Sequence, residues 1–122
     1  LLDVGYHAIT VLDIAPAALE IAQRRLGSIA STVSWRVGDV CSAGLPPRSF
    51  DVWHDRAVFH FLTDPADRAA YVRELQGALC PGGHVILATF ADSGPLKCSG
   101  LPVARYSAEE LHAELGPSFH LV

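Results

Sequence analysis

Four carboxylates stand at or near the ends of short apolar runs: Asp3 in Leu1-Leu2-Asp3-Val4-Gly5, Asp13 after Ala8–Leu12, Asp39 in Gly38-Asp39-Val40, and Asp55 in His54-Asp55-Arg56. An acidic residue that ends a strand can accept both hydroxyls of a ribose. At Asp13 that chemistry favours an adenosine-type ligand over an inorganic phosphate. Asp39, beside Gly38, could take an exocyclic amine such as adenine N6, and the Val40 N–H could meet a ring nitrogen. Aspartate also caps turns and helices well, so any one of the four has a structural explanation. Four together, each at a run's end, argue for a ligand edge.

Other reactive residue types give weaker patterns. The histidines at 7, 54, 60, 84, 112 and 120 show no H-x-x-x-H or H-E-x-x-H spacing, so no metal site is expected. His60, within Phe59-His60-Phe61, reads as a packed residue with a satisfied ring nitrogen; the alternative is that it faces a bound substrate. Phe59 and Phe61 could wall a pocket. Trp35 and Trp53 fall inside strand patterns and read as core. Cys41, Cys80 and Cys98 form no C-x-x-C pair. That excludes a disulfide framework or zinc ribbon and points to a reducing, cytoplasmic setting. No Cys-His-Asp set and no G-x-S-x-G elbow is legible.

A shared edge requires parallel strands. Leu1–Gly5 and Ala8–Ile14 read as strands buried on both faces. Ala15-Pro16 opens a helix in which Ala18, Leu19, Ala22 and Leu26 recur at helical spacing, and Gly27 closes it. Val33–Val40 is a third strand, with Trp35 and Val37 on one face. Residues 41–49, with Gly44 and Pro46-Pro47, form a loop, and Phe50–His54 is a fourth strand. Asp64-Pro65 starts a second helix with an Ala69, Val72, Leu75, Leu79 stripe, stopped by Pro81-Gly82-Gly83. His84–Phe90 is a fifth strand and residues 92–102 a loop. Ser107 and Glu110 make a capping box on a helix ending at Gly116, and Phe119–Val122 is a sixth strand. The alternation predicts a single α/β domain over 1–122, a doubly wound, mainly parallel sheet with helices on both faces.

Composition agrees. The chain has 122 residues, 50% hydrophobic and 18% charged, enough to build one core. A net charge of -4 argues against a nucleic-acid partner, which needs a basic face. No run approaches the roughly 20 apolar residues of a membrane span. The absence of Met and the apolar Phe119–Val122 end predict a piece of a longer protein.

In order, LLDVG, ITVLDIAPAALEIAQRRLG, VGDV, SFDVWHDRAVFHFL and LQGALCPGGHVILATF resemble the class I S-adenosylmethionine-dependent methyltransferases, over almost the whole chain. The resemblance implies a Rossmann-like fold and S-adenosyl-L-methionine as cofactor, with Asp3, Gly5, Asp13, Ile14, Asp39, Val40 and Asp55 as its contacts. It gives Asp13 the ribose, and Asp39 and Val40 the adenine. Asp55 and Arg56 are implied as catalytic, near the methionine end and the methyl acceptor. Asp55 is the candidate general base if the acceptor carries a proton. The Asp-Arg pair is similar to that of enzymes acting on small molecules or protein side chains. A catalytically degenerate binding domain and a nicotinamide-dependent oxidoreductase are the alternatives; the latter also wants an acidic end on its second strand, but VGDV and HDR favour the methyltransferase. A phosphoacceptor receiver is weaker, because Lys97 lies in a loop.

The family follows its first strand with a Gly-rich loop and a helix, whereas here Gly5 meets Tyr6-His7 at once; the last strand is also absent. A five-residue strand is about 17 Å long. Two residues span at most about 10 Å, while parallel neighbours need a crossover of roughly a dozen residues. Leu1–Gly5 and Ala8–Ile14 therefore cannot be directly joined parallel neighbours, and a loop and helix are expected between Gly5 and Tyr6.

Overall fold

The computed structural model describes all residues, 1–122, and divides into two compact units, Leu1–Ala43 and Gly44–Val122. The chain is α/β, with two parallel strand pairs, each closed by a helical crossover, and one small hairpin. The strands thus form three two-stranded sheets in place of the single wide sheet expected.

In the first unit, β1 (Thr10–Asp13) pairs in parallel with β2 (Ser34–Val37), from Thr10↔Ser34 to Asp13↔Val37. Helix α1 (Pro16–Leu26) joins them. Pro16 sits at its first position, where a missing N–H does no harm, and Gly27, at φ +59, ends it. Leu19 is buried on its inner face, while Ala18, expected in the stripe, is exposed. A 3-10 turn over Gly27–Thr32 leads into β2, and the Trp35 Nε1–H donates to the Ala30 carbonyl at 2.9 Å. The expected third strand is therefore shorter, and Val37 on it is exposed.

Leu1–Gly5 is not a strand. Leu2–Val4 is a 3-10 turn closed by Gly5 at φ +91, and Tyr6 N–H donates to the Leu1 carbonyl at 3.2 Å within the same turn. Two linking residues cannot carry the chain back to the start of a parallel neighbour, so the apolar run has no strand to pair with. Leu1 and Val4 are exposed.

In the second unit, β3 (Phe50–Arg56) pairs in parallel with β4 (Leu79–Ala88), and α2 (Pro65–Ala78) is the crossover. The Asp64 carboxylate accepts from the Ala66 N–H at 2.8 Å and caps α2, with Pro65 at its first turn. The buried face of α2 is Tyr71, Leu75 and Ala78, not the stripe through Ala69 and Val72; Leu79 already belongs to β4. The helix ends before Pro81-Gly82-Gly83, which instead lies where the β3–β4 register shifts between Phe50↔Leu79 and Val52↔His84. A Cβ on Gly83 would come within 2.8 Å of Leu79 Cγ and 3.0 Å of the Asp51 carbonyl, so the two strands close there only over glycine.

This strand pair alternates instead of being buried on both faces. Trp53, Asp55, Val85 and Leu87 are covered, whereas Val52, His54, Ile86 and Ala88 are exposed. Past β4, a hairpin of β5 (Lys97–Cys98) and β6 (Leu101–Pro102) occupies the expected loop, turning through Ser99 and Gly100, both at positive φ. Helix α3 (Ala108–Leu115) carries the expected capping box: Ser107 Oγ accepts from Glu110 N–H, and Glu110 Oε2 from Ser107 N–H. Phe119–Val122 is not a strand; it has no neighbour to pair with, and the Phe119 carbonyl meets His112 Nε2 at 2.8 Å.

Candidate functional site

Because β1 and β2 are parallel, their carboxyl ends fall at one edge of the first unit. Asp13 ends β1, and Gly38-Asp39 follow β2; the Gly38 N–H donates to the Asp13 carbonyl at 3.0 Å. Asp13 Oδ1 accepts from the Ala15 N–H at 2.8 Å, a turn that sets up α1. Asp39 Oδ1 accepts from the Cys41 N–H at 2.8 Å and caps the 3-10 turn Val40–Ser42. Each carboxylate is thus oriented by the backbone through Oδ1. Asp13 is half-buried, and Ile14 beside it is exposed. Asp3 and Gly5 do not join this edge as strand ends, because their segment is the 3-10 turn.

In the second unit, Asp55 is buried, 6% exposed. Its Oδ1 accepts from the Val58 N–H at 2.9 Å, and its Oδ2 from the Phe59 N–H at 3.1 Å and the Tyr71 hydroxyl at 2.7 Å. The Tyr71 oxygen in turn accepts from Trp53 Nε1–H at 2.8 Å. These three donors and its burial make the Asp55 carboxylate the anchor of a turn, with one of its about four acceptor positions, on Oδ1, left unfilled. The turn it holds places Ala57 at φ +66, a left-handed backbone that a residue with a Cβ rarely adopts. Arg56, between them, is exposed and remains the polar group that this strand end offers to solvent.

The aromatic run after Asp55 also differs from expectation. Phe59 is fully buried core, with its ring 4.9 Å from that of Tyr71, and is no pocket wall. His60 is equally buried, yet neither ring nitrogen has a hydrogen-bond partner. Its ring lies between Phe61 at 4.5 Å and Phe90 at 4.9 Å. Burial lowers its pKa below the ordinary 6.5, against an opposing pull from the Asp55 charge.

A cleft of about 490 Å³ in this unit is lined by Arg105, Tyr106, Glu110, Ala113 and Glu114. The Tyr106 hydroxyl is buried without a partner. Burial raises its pKa; Arg68 pulls it down, and Glu114 and Glu110 push it up. Arg68 pairs with Glu114 at 3.0 Å. Sequence reading missed this cleft, although Glu110 and Glu114 stand one helical turn apart just after Tyr106.

In open parallel α/β sheets ligands bind beyond the carboxyl ends of the strands, which is where these two carboxylates stand. Residues 1–87 match the family described as Methyltransferase domain, and the chain belongs to that family. It is 32% identical over 85 residues to Nodulation protein S of Rhizobium tropici, covering 70% of this chain and 35% of that one. Among solved structures it is similar to an S-adenosylmethionine-dependent methyltransferase from Leishmania major, with TM-score 0.76 and 22% identity, covering 97% of this chain and 47% of that one. It is also similar to one from Mesorhizobium loti, with TM-score 0.76 and 18% identity, covering 96% and 65%. These likenesses show the fold. The chain spans about a third of the curated relative's length. No helix is long and apolar enough to cross a membrane.

Proposed function

We propose that this domain serves methyl transfer from S-adenosyl-L-methionine to a small molecule or a protein side chain, as a class I, Rossmann-like methyltransferase. The observation that carries the reading is the pair Asp13 and Asp39: each is fixed through Oδ1 by a backbone N–H. That donor set fits an adenosine. Asp13 would take the ribose hydroxyls, Asp39 the adenine amine and the Val40 N–H a ring nitrogen. When bound, the cofactor supplies a methyl carbon made electrophilic by its sulfonium sulfur, which keeps the electron pair of the broken bond.

The chain's own part is to orient the nucleoside and the acceptor and to exclude water. Arg56, exposed at the end of β3, is the residue we assign to polar contact with the acceptor. Nucleic acid is a poor acceptor for a surface of net charge -4. The cytoplasm is the setting that the thiols of Cys80 and Cys98 fit.

Calorimetry with S-adenosylhomocysteine tests the reading. Asp13→Ala should lose on the order of 2–3 kcal/mol of binding, as a carboxylate accepting two hydroxyls would. Wild-type affinity in that variant would remove Asp13 from the site. One observation favours a binding domain without turnover: Leu2–Val4 is a 3-10 turn where a strand was expected. Cofactor binding with no methyl transfer to any acceptor would select that reading.

A further inference from the structure

The 3-10 turn Phe59–Phe61 carries two features that the methyl-transfer reading does not use. Its entry closes on Asp55, through the Val58 and Phe59 N–H groups at 2.9 and 3.1 Å. Its middle residue, His60, is buried to 0% exposure with both ring nitrogens unpartnered. A native protein rarely leaves a buried polar group orphaned without a reason. The backbone before the turn is strained at Ala57, and the His60 carbonyl accepts from the Ala104 N–H at 2.8 Å, tying the turn to the segment after β6.

We propose that residues 57–62 form an acid-operated latch, in which protonation of His60 expels its ring from the nest of Phe61 and Phe90 and releases the turn from Asp55. An imidazolium needs acceptors for two N–H donors, and the rings of Phe61 and Phe90 offer none. Asp55 is the charged group whose field reaches His60. In the closed form neither ring nitrogen reaches an Asp55 oxygen, and those oxygens accept from Val58, Phe59 and the Tyr71 hydroxyl instead. To reach Asp55 the ring must leave the nest of Phe61 and Phe90. Protonation therefore favours the open form on either route.

The sign follows from burial. The ring binds its proton less readily closed than open, so the closed form keeps its full stability above the ordinary histidine pKa of 6.5 and loses it as the pH falls below. Opening would free the Asp55 carboxylate and loosen Arg56 beside it.

Nuclear magnetic resonance on the protein from about pH 7.5 to about pH 5.5 tests this across the histidine range. The His60 ring signal should titrate, and the protection factors of the Val58, Phe59 and Ala104 amides, each referred to the intrinsic exchange rate at that pH, should fall roughly tenfold over the same range, while Tyr71 and Leu75 in α2 stay protected. His60→Phe should abolish the acid dependence of those three amides. Simultaneous loss of protection in α2 would overturn the latch in favour of global unfolding. Unchanged acid dependence in His60→Phe, or a His60 ring that stays neutral while the amides loosen, would also overturn it. The ring titration is read on the wild type, so the test stands even if the variant does not fold.

Discussion

Tyr71 Oη lies 2.7 Å from Asp55 Oδ2, and this bond, between a helix and a strand end sixteen residues apart in sequence, determines what the Asp55 carboxylate can do. The same hydroxyl oxygen accepts from Trp53 Nε1–H. The side chains of two β3 residues thus meet on one tyrosine.

Tyr71→Phe keeps the ring contacts to Trp53 and Phe59 and removes only the hydroxyl. It leaves a part-buried indole N–H without its partner and takes one donor from a buried carboxylate. Hydrogen bonds to charged groups contribute about 1.5–3 kcal/mol, so a loss of about 2 kcal/mol in urea unfolding is expected. A loss below about 0.5 kcal/mol would show that water replaces the hydroxyl without cost. In a double-mutant cycle with Trp53→Phe the two effects should be less than additive.

Ala57→Gly should stabilise the protein. A left-handed backbone costs a residue with a Cβ roughly 1–2 kcal/mol, and glycine's extra freedom in the unfolded chain returns part of that. The net gain should be up to about 1 kcal/mol, read as a rise in the urea midpoint at unchanged slope. A loss of stability would mean that the alanine methyl makes packing contacts worth more than the strain.

What the sequence made legible was local. Ala15-Pro16, Gly27, Asp64-Pro65 and the Ser107–Glu110 box all act within a turn of themselves, and each stands where the spacing put it. The two-residue Tyr6-His7 link argued for a loop and helix between Gly5 and Tyr6, whereas the chain runs straight on there within one 3-10 turn, in which Tyr6 N–H donates to the Leu1 carbonyl. Non-local partners were not legible. The phase of α2 was read from its aliphatic residues, yet Tyr71 faces inward because Trp53 and Asp55, from another element, satisfy its hydroxyl. Spacing also cannot show that three donors, from residues 58, 59 and 71, converge on Asp55. The hairpin could have been found: Ser99-Gly100 is a two-residue turn signal, masked by the polar and proline-rich stretch around it.

Two glycines in and after α2 should respond in opposite directions to the same change. A Cβ on Gly83 would meet Leu79 Cγ at 2.8 Å, the Cys80 carbonyl at 2.9 Å and the Asp51 carbonyl at 3.0 Å. Two of these are backbone atoms of paired strands and cannot move aside alone. Gly83→Ala should cost about 1–3 kcal/mol, the range for overpacking. A Cβ on Gly77, within α2, would meet nothing within 4 Å. Gly77→Ala should gain about 0.5–1 kcal/mol from helix propensity. Thermal unfolding of the two variants checks both, and equal shifts would contradict the strand closure at Gly83.

Tyr106→Phe tests the unpartnered hydroxyl beside the cleft. The hydroxyl is buried and has no partner, so it was desolvated on folding without compensation. Removing it leaves the ring, which stacks at a tilt against Phe59 with centroids 5.7 Å apart. Stability should therefore hold or rise by up to about 1 kcal/mol, the reverse of the usual buried Tyr→Phe change. A clear destabilisation would mean that the hydroxyl is satisfied in solution, by a water or by movement of Glu110 or Glu114 toward it. Urea unfolding of the variant beside the wild type distinguishes these outcomes.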